Sequence, residues 1–189
     1  MFHVVAFSGS LRQGSSNTAL LHLARRLAPA ELSIEIVDWL RELPYYDPDL
    51  EADVPPVVGR LRTLVGSAQA LLIGMPEYNF GPSALAKNTI DWLSRPIATR
   101  ALEGMVIAML TSGGKGGGAN VQAPLQQILG LLGNTVVAEP AVQVAMGATR
   151  IAADGSTDDA EVIDLVTRKM ANLVVALRSR ATAGAMTPR

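Results

Sequence analysis

Apolar runs of strand length alternate with helix-period segments along this chain, and that alternation restricts the fold more than any single residue does. Strands that alternate with helices pair in parallel, and the crossover helices cover both faces of the sheet. Residues 2–7 read as the first strand. Residues 16–27 follow with Leu20, Leu23, Ala24 and Leu27 on one face, an amphipathic helix that Pro29 ends. Residues 33–37 are a second strand rich in β-branched side chains. Residues 39–56 form a long polar, proline-containing connection, and residues 57–67 a modest helix.

Residues 70–75 are a continuous apolar run, the pattern of a strand buried on both faces, and Pro76 ends it. Residues 83–94 are expected as a helix, 105–110 as a strand and 119–132 as a helix stopped by Gly133-Asn134. A fifth strand falls within 135–144. A last helix over 158–180 opens on two aspartates and closes on arginines, matching its dipole. The expected fold is therefore α/β: a flavodoxin-like three-layer α/β/α sandwich on a five-stranded parallel sheet of order 2-1-3-4-5. Residues 1–180 form one domain in this reading, and residues 181–189 a frayed tail. Ligands of such sheets sit outside the carboxyl ends of the strands, so chemistry is expected in the loops after strands one, three and four.

Composition narrows the partners. Apolar residues make up 49% of the 189 and charged residues only 17%, which fits a fully covered sheet rather than a disordered chain. A net charge of −1 with no block of like charge leaves no electrostatic footprint for nucleic acid or an anionic membrane, and small molecules become the expected partners. The absence of cysteine removes disulfides, thiolate nucleophiles and cysteine-bound metals. Met1-Phe2-His3 runs straight into the first strand without a basic n-region, and no apolar run has bilayer length, so the expectation is a cytoplasmic protein.

Three loops carry the chemistry. The first, "GSLRQGSSN", covers Gly9 to Asn17 and joins strand one to its helix. A helix N-terminus offers unpaired N–H groups and partial positive charge. Ser10, Ser15, Ser16 and Asn17 add neutral donors, and Arg12 adds a fixed charge with forked geometry. A terminal phosphate, doubly negative with three acceptor oxygens, needs such a set; helix-capping serines beside a solvated arginine are the alternative. A dinucleotide fingerprint fails because Gly9 is followed by Ser10-Leu11, and a Walker loop fails because Gly116 follows Lys115.

The second loop brings Pro76, Glu77, Tyr78 and Asn79 together with Phe80, an aromatic and polar mixture suited to a flat heterocycle bonded at its rim and covered on a face. An ordinary surface loop in which Tyr78 plugs the core edge is equally consistent with the spacing. The third, "TSGGKGGGAN", holds five glycines in the six positions from Gly113 to Gly118, a density expected where a ligand passes close to the main chain.

Together these loops resemble the NADPH-dependent FMN reductase family, flavodoxin-like enzymes that include chromate, quinone and azo-dye reductases. The matching text is "GSLRQGSSN", "PEYN" followed by "KNTIDWLSRP", and "TSGGKGGGA". The resemblance implies bound FMN as cofactor and NADPH or NADH as reductant. It implies that Ser10, Arg12, Ser15 and Asn17 hold the FMN phosphate, with Ser16, at a position where the family varies, a further donor of the same loop; that Pro76, Glu77, Tyr78 and Asn79 line the ribityl chain and ring; and that Ser112, Gly113, Gly114 and Gly117 close over the pyrimidine side. It places the helix bearing Lys87, Asn88, Asp91 and Trp92 near a subunit contact that helps complete the flavin site. Phe80 stands where the family often has serine or glycine, and Ala86 where leucine is common, so Phe80 is expected to reshape access to the flavin face.

On that footing the flavin carries the reaction and no catalytic protein residue is expected: hydride passes from the nicotinamide to FMN and then to a small acceptor such as a quinone, flavin, azo compound or metal oxyanion. His3 and His22, the only histidines, fit structural or solvated roles. Nicotinamide and acceptor taking turns over one ring imply ping-pong kinetics. The alternatives are a flavodoxin-type electron carrier, which a net charge of −1 does not suit, and a phosphate-binding scaffold without turnover. The apolar stripe Val121, Leu125, Ile128, Leu129 and Leu132, with the Trp92 helix, raises the expectation of self-association, and the resemblance implies a homodimer or homotetramer.

Overall fold

The computed structural model describes residues 1–186. In chain order its elements are β1 (Phe2–Ser8), α1 (Ser16–Arg26), β2 (Leu32–Val37), α2 (Pro56–Gly66), β3 (Ala70–Met75), the two-residue strands β4 (Glu77–Tyr78) and β5 (Gly81–Pro82), α3 (Ala84–Leu93), β6 (Val106–Gly113), α4 (Ala119–Leu131), β7 (Thr135–Ala145), the short α5 (Gly147–Arg150) and α6 (Ala160–Met186). Strands β2, β1, β3, β6 and β7 lie side by side in that order, every neighbouring pair parallel. With β4 and β5 set apart as an antiparallel hairpin, this is the 2-1-3-4-5 sheet expected of a flavodoxin-like fold.

The sheet divides two apolar layers because successive strand residues point to opposite faces. Val4, Ala6 and Leu72 pack with Leu20 and Leu21 of α1 and with Val166, Met170 and Leu173 of α6. Val5, Phe7, Leu71 and Ile73 pack with Leu61 of α2, Ile90 of α3 and Leu125 of α4. β3 is buried along its whole length, as its unbroken apolar run requires. α1 presses onto the end of β3 at Gly74, where a Cβ would lie 2.7 Å from the Asn17 carbonyl oxygen and 3.1 Å from Leu21. That close approach draws the N-terminus of α1 over the carboxyl edge of the sheet.

Two expectations are corrected. Trp92 itself does not supply the spare apolar surface expected of it: it is fully buried, its ring edge-on to Tyr46 with centroids 5.0 Å apart. Its Nε1 donates to the Pro44 carbonyl at 2.9 Å, and Asn88 holds the same connection by donating to Pro44 O and accepting from Tyr46 N. Val121, Leu125 and Leu129 are likewise consumed by the chain's own core. The last helix is also displaced, running over Ala160–Met186. Asp159 stands just before it, accepting from Val162 N and from Arg150, whose guanidinium holds that carboxyl below its ordinary range. Residues 181–186 of the expected tail continue this helix; residues 187–189 lie outside the described residues.

Candidate functional site

All five sheet strands run the same way, so the segments leaving β1, β3, β6 and β7 share one edge. They enclose a cavity of about 340 Å³. Ser10, Arg12, Ser15, Ser16 and Asn17 line it from the first segment, Pro76, Glu77 and Tyr78 from the second, and Ser112, Gly113 and Gly114 from the third. Eleven of the thirteen residues named from sequence therefore meet in one place. Asn79 and Gly117 do not line it.

At the head of α1 the serines do not cap the helix. Ser15 occupies the N-cap position without a side-chain bond to the first turn, whereas Ser83, in the same position before α3, accepts from Ala86 N. Among the described residues no acceptor meets the N–H groups of Ser16, Asn17 or Thr18, or the Ser15 hydroxyl, although Ser15 is only 3% exposed. A helix end left this way is an anion site whose donors already point at the ligand position. Arg12 stands exposed beside it. Ser10 accepts from Arg12 N at 3.4 Å and shapes the turn.

Asn17 has a different task from its neighbours. Its amide nitrogen donates to the Ser112 carbonyl at 2.9 Å and its amide oxygen accepts from Ser112 N at 2.9 Å. Ser112 Oγ also bonds Ser16 Oγ at 2.9 Å. These buried bonds tie the first segment to the third, so Asn17 holds the walls in register and Ser16 shares that work.

The second segment is the β4–β5 hairpin. Asn79 (φ 51°) and Phe80 (φ 65°) both lie in the left-handed region, the requirement of a two-residue type I′ turn between paired Tyr78 and Gly81. The turn takes Asn79 and Phe80 out of the cavity lining, and both are exposed. Tyr78 stays in the wall, 53% exposed, above the buried Pro76. The Glu77 carboxylate turns to α4, accepting from Asn120 N at 3.0 Å and from Asn120 Nδ2 at 2.8 Å. It satisfies a first-turn N–H and leaves the main chain of residues 76–78 to face the cavity.

In the third segment Gly114 is open, with no heavy atom within 4 Å of the position its Cβ would take. Gly117 is the reverse: at φ 62° its Cβ would lie 2.9 Å from Ala145 N and from Gln143 C and O. Gly117 is thus a backbone requirement beneath the site, and Gly114 lines the space above it.

A fourth segment completes the wall and was not named from sequence. Met146, Ala148 and Thr149 line the cavity, and Met146 N donates to the carbonyls of Gly113 and Gly114 at 3.0 and 3.1 Å. Strand direction was the available signal, since the end of β7 shares an edge with the other three segments.

Uncapped N–H groups, a hydroxyl without a partner and an unpaired guanidinium at one end fit a phosphate. Pro76, Tyr78, open glycine backbone and Met146 at the other end fit one side of a flat ring. The residues present therefore suit FMN. Among the described residues no group of three or more histidine, aspartate or glutamate side chains could hold a metal ion, and no helix is long and apolar enough to cross a membrane.

Residues 2–149 match the model of the NADPH-dependent FMN reductase family. An NAD(P)H-dependent FMN reductase of Pseudomonas aeruginosa is 36% identical over 177 residues, covering 93% of this chain and 95% of that protein. A quinone reductase of Escherichia coli is 35% identical over 140 residues, covering 72% and 74%. Among solved structures, a flavoenzyme NAD(P)H:(acceptor) oxidoreductase from Paracoccus denitrificans superimposes with a TM-score of 0.86 at 30% identity, covering 95% of this chain and 99% of that one.

Proposed function

The chain belongs to the NADPH-dependent FMN reductase family, and from that premise we propose that its cavity holds FMN phosphate-first against the N-terminus of α1. The chain is an NAD(P)H-dependent flavin oxidoreductase of the FMN and quinone reductase type, rather than a passive flavodoxin-type carrier. Residues 1–180 with the added turns of α6 act as the one FMN-binding domain in this reading.

The observation that carries the site assignment is the uncapped start of α1: Ser15 with its free hydroxyl, three N–H groups without acceptors, and Arg12 beside them. Ser10, Arg12, Ser15 and the N–H groups of residues 16–18 hold the phosphate, and Ser16 and Asn17 support them through Ser112. Pro76, the main chain of Glu77, and Tyr78 lie along the ribityl chain and ring; Asn79 acts by turning the hairpin. Ser112, Gly113 and Gly114 border the pyrimidine side, with Gly117 setting their path. When bound, FMN supplies the redox chemistry, accepting hydride from the nicotinamide and reducing the acceptor. The protein's own contribution is alignment: Tyr78 in the wall and Phe80 on the adjoining turn offer aromatic surface, 53% and 81% exposed, which favours a flat acceptor such as a quinone over a metal oxyanion like chromate.

This reading includes a cytoplasmic setting, where NAD(P)H is at hand, and self-association as a homodimer or homotetramer. The test is direct. Purified protein supplied with FMN turns yellow, and anaerobic NADPH bleaches it. A protein that takes up no FMN by calorimetry overturns the assignment, and a monomer mass by light scattering removes the self-association.

A further inference from the structure

A second and larger cleft, about 430 Å³, lies across Ser10 and Arg12 from the first, at the carboxyl ends of β1 and β2. Ser10 and Arg12 line both spaces, so a single extended ligand can run from one to the other. The charges around this cleft are predominantly positive. Arg26, Arg100, Arg150, Arg168 and Arg178 each have a carboxylate partner. Arg12, Arg25 and Arg41 have none, a condition shared among the described residues with Arg60, Arg62, Arg95 and Arg180, but only the first three line one space together.

Two of those guanidiniums are held over the cleft by neutral groups. Arg41 Nη2 donates to the Leu11 carbonyl at 3.3 Å, and Arg25 Nη2 donates to His22 Nδ1 at 3.4 Å. Burial first, then Arg25 and Arg26, push the His22 pKa down, in keeping with a ring that accepts at Nδ1. The positive charge of the cleft is therefore carried by arginines. Asp38, at the end of β2, is its one carboxylate, and Leu11 and Leu85 supply apolar wall. Planar forks of donors match a phosphate monoester and also stack on a base, while an isolated carboxylate accepts from a sugar hydroxyl.

We propose that this cleft takes the 2′-phosphoadenosine end of NADPH, with Arg25 and Arg41 gripping the 2′-phosphate and Asp38 accepting from the ribose. The inference rests on the reading that the neighbouring cavity holds FMN, over which the nicotinamide lies. Three strand spacings separate β2 from β6, ~14 Å at ~4.8 Å each, a span that an extended dinucleotide covers. The consequence is a preference for NADPH over NADH set by residues outside the flavin site.

The test uses FMN-loaded protein and two readouts. Calorimetry with 2′,5′-ADP gives saturable uptake by the wild type, with 5′-AMP bound about tenfold or more weakly. In Arg25→Gln and Arg41→Gln the affinity for 2′,5′-ADP and kcat/KM for NADPH each fall about tenfold, while kcat/KM for NADH stays within about twofold. Arg25→Lys and Arg41→Lys, which keep the charge, recover part of both. Both arginines are exposed, so folding is not at stake, and an unchanged flavin spectrum verifies the neighbouring cavity in each variant. Equal affinity for 2′,5′-ADP and 5′-AMP, no uptake of 2′,5′-ADP, or the same NADPH-to-NADH ratio in the wild type and variants overturns the proposal. Failure of the protein to take up FMN strikes the flavin reading instead, and the 2′,5′-ADP titration still decides this one.

Discussion

Asn17 and Ser112, 95 residues apart in sequence, are joined by two hydrogen bonds of 2.9 Å, the side-chain amide of one pairing with both main-chain groups of the other. The pair is buried, so truncating Asn17 strands an N–H and a C=O away from water. Each such group costs about 1–3 kcal/mol, and Asn17→Ala is expected to destabilise the apoprotein by about 2–4 kcal/mol in urea unfolding. Asn17→Asp keeps the acceptor, loses the donor and adds a negative charge beside the phosphate position. It should weaken FMN more than Asn17→Ala does at matched protein stability, as followed by quenching of flavin fluorescence. Equal affinities in the two variants would detach Asn17 from the phosphate end.

Arg12 is exposed and bonds the fold only through its main chain, so replacing its side chain leaves stability within about 0.5 kcal/mol. A charge-assisted bond to a phosphate is worth more. Arg12→Gln is expected to weaken FMN about ten- to a hundredfold and to leave riboflavin, which lacks the phosphate, unchanged. Should both flavins weaken alike, Arg12 does not act on the phosphate.

Gly114 and Gly117 separate ligand clearance from backbone demand within one loop. Gly117→Ala forces a Cβ to 2.9 Å from three backbone atoms at a positive φ, and a loss of about 2 kcal/mol or more is expected without any ligand. Gly114→Ala meets nothing within 4 Å in the chain, so thermal unfolding of the apoprotein stays unchanged while FMN affinity drops. Normal FMN binding by the Gly114→Ala variant would move the ring away from this segment.

The parts of the site legible in the letters were those whose meaning is local. The apolar run of β3 announces a central strand, and four serines with an arginine at a strand-to-helix turn announce an anion site because both patterns are complete within one segment. Asn17 and Glu77 read as ligand groups from sequence. Their amide and carboxylate prove to be braces to Ser112 and Asn120, partners 95 and 43 residues away that no local pattern specifies. The Met146–Thr149 wall escaped because α5 is four residues long and carries no helical period. The end of β7 before it falls where expected to within a residue, but the segment after this edge strand was not among those expected to carry chemistry. Trp92 misled because one side of a helix cannot tell a second subunit from the chain's own 39–56 connection.

Lys169 gives the fold a pH signature independent of the flavin. Its ammonium is buried under β7, donating at 2.8 Å to the carbonyls of Val137 and Ala138, and burial draws its pKa from 10.5 down to about 8. Between those two values the unfolded chain holds the proton and the folded chain releases it, so stability at this group rises with pH. It is lowest below about 8 and complete above about 10.5. The urea midpoint of the wild type should gain, between pH 8 and 10, an increment that Lys169→Met lacks. Parallel pH profiles for the two proteins would mean that the ammonium stays charged throughout, its two carbonyl bonds offsetting its burial.

Phe80 is the residue where stability and function pull apart. A bulky side chain at φ 65° is strained, and Phe80 is 81% exposed, so no packing within the chain compensates. Phe80→Gly relieves the strain at a position suited to glycine and is expected to raise stability by about 0.5–1 kcal/mol. If the ring is kept because it covers a flat acceptor at the mouth of the cavity, the same variant raises KM for a naphthoquinone several-fold with kcat little changed, the mark of binding lost equally from ground and transition states. A gain in stability without that rise in KM would remove Phe80 from acceptor recognition, since its aromatic face would then contribute nothing to the step that its strained backbone was thought to serve.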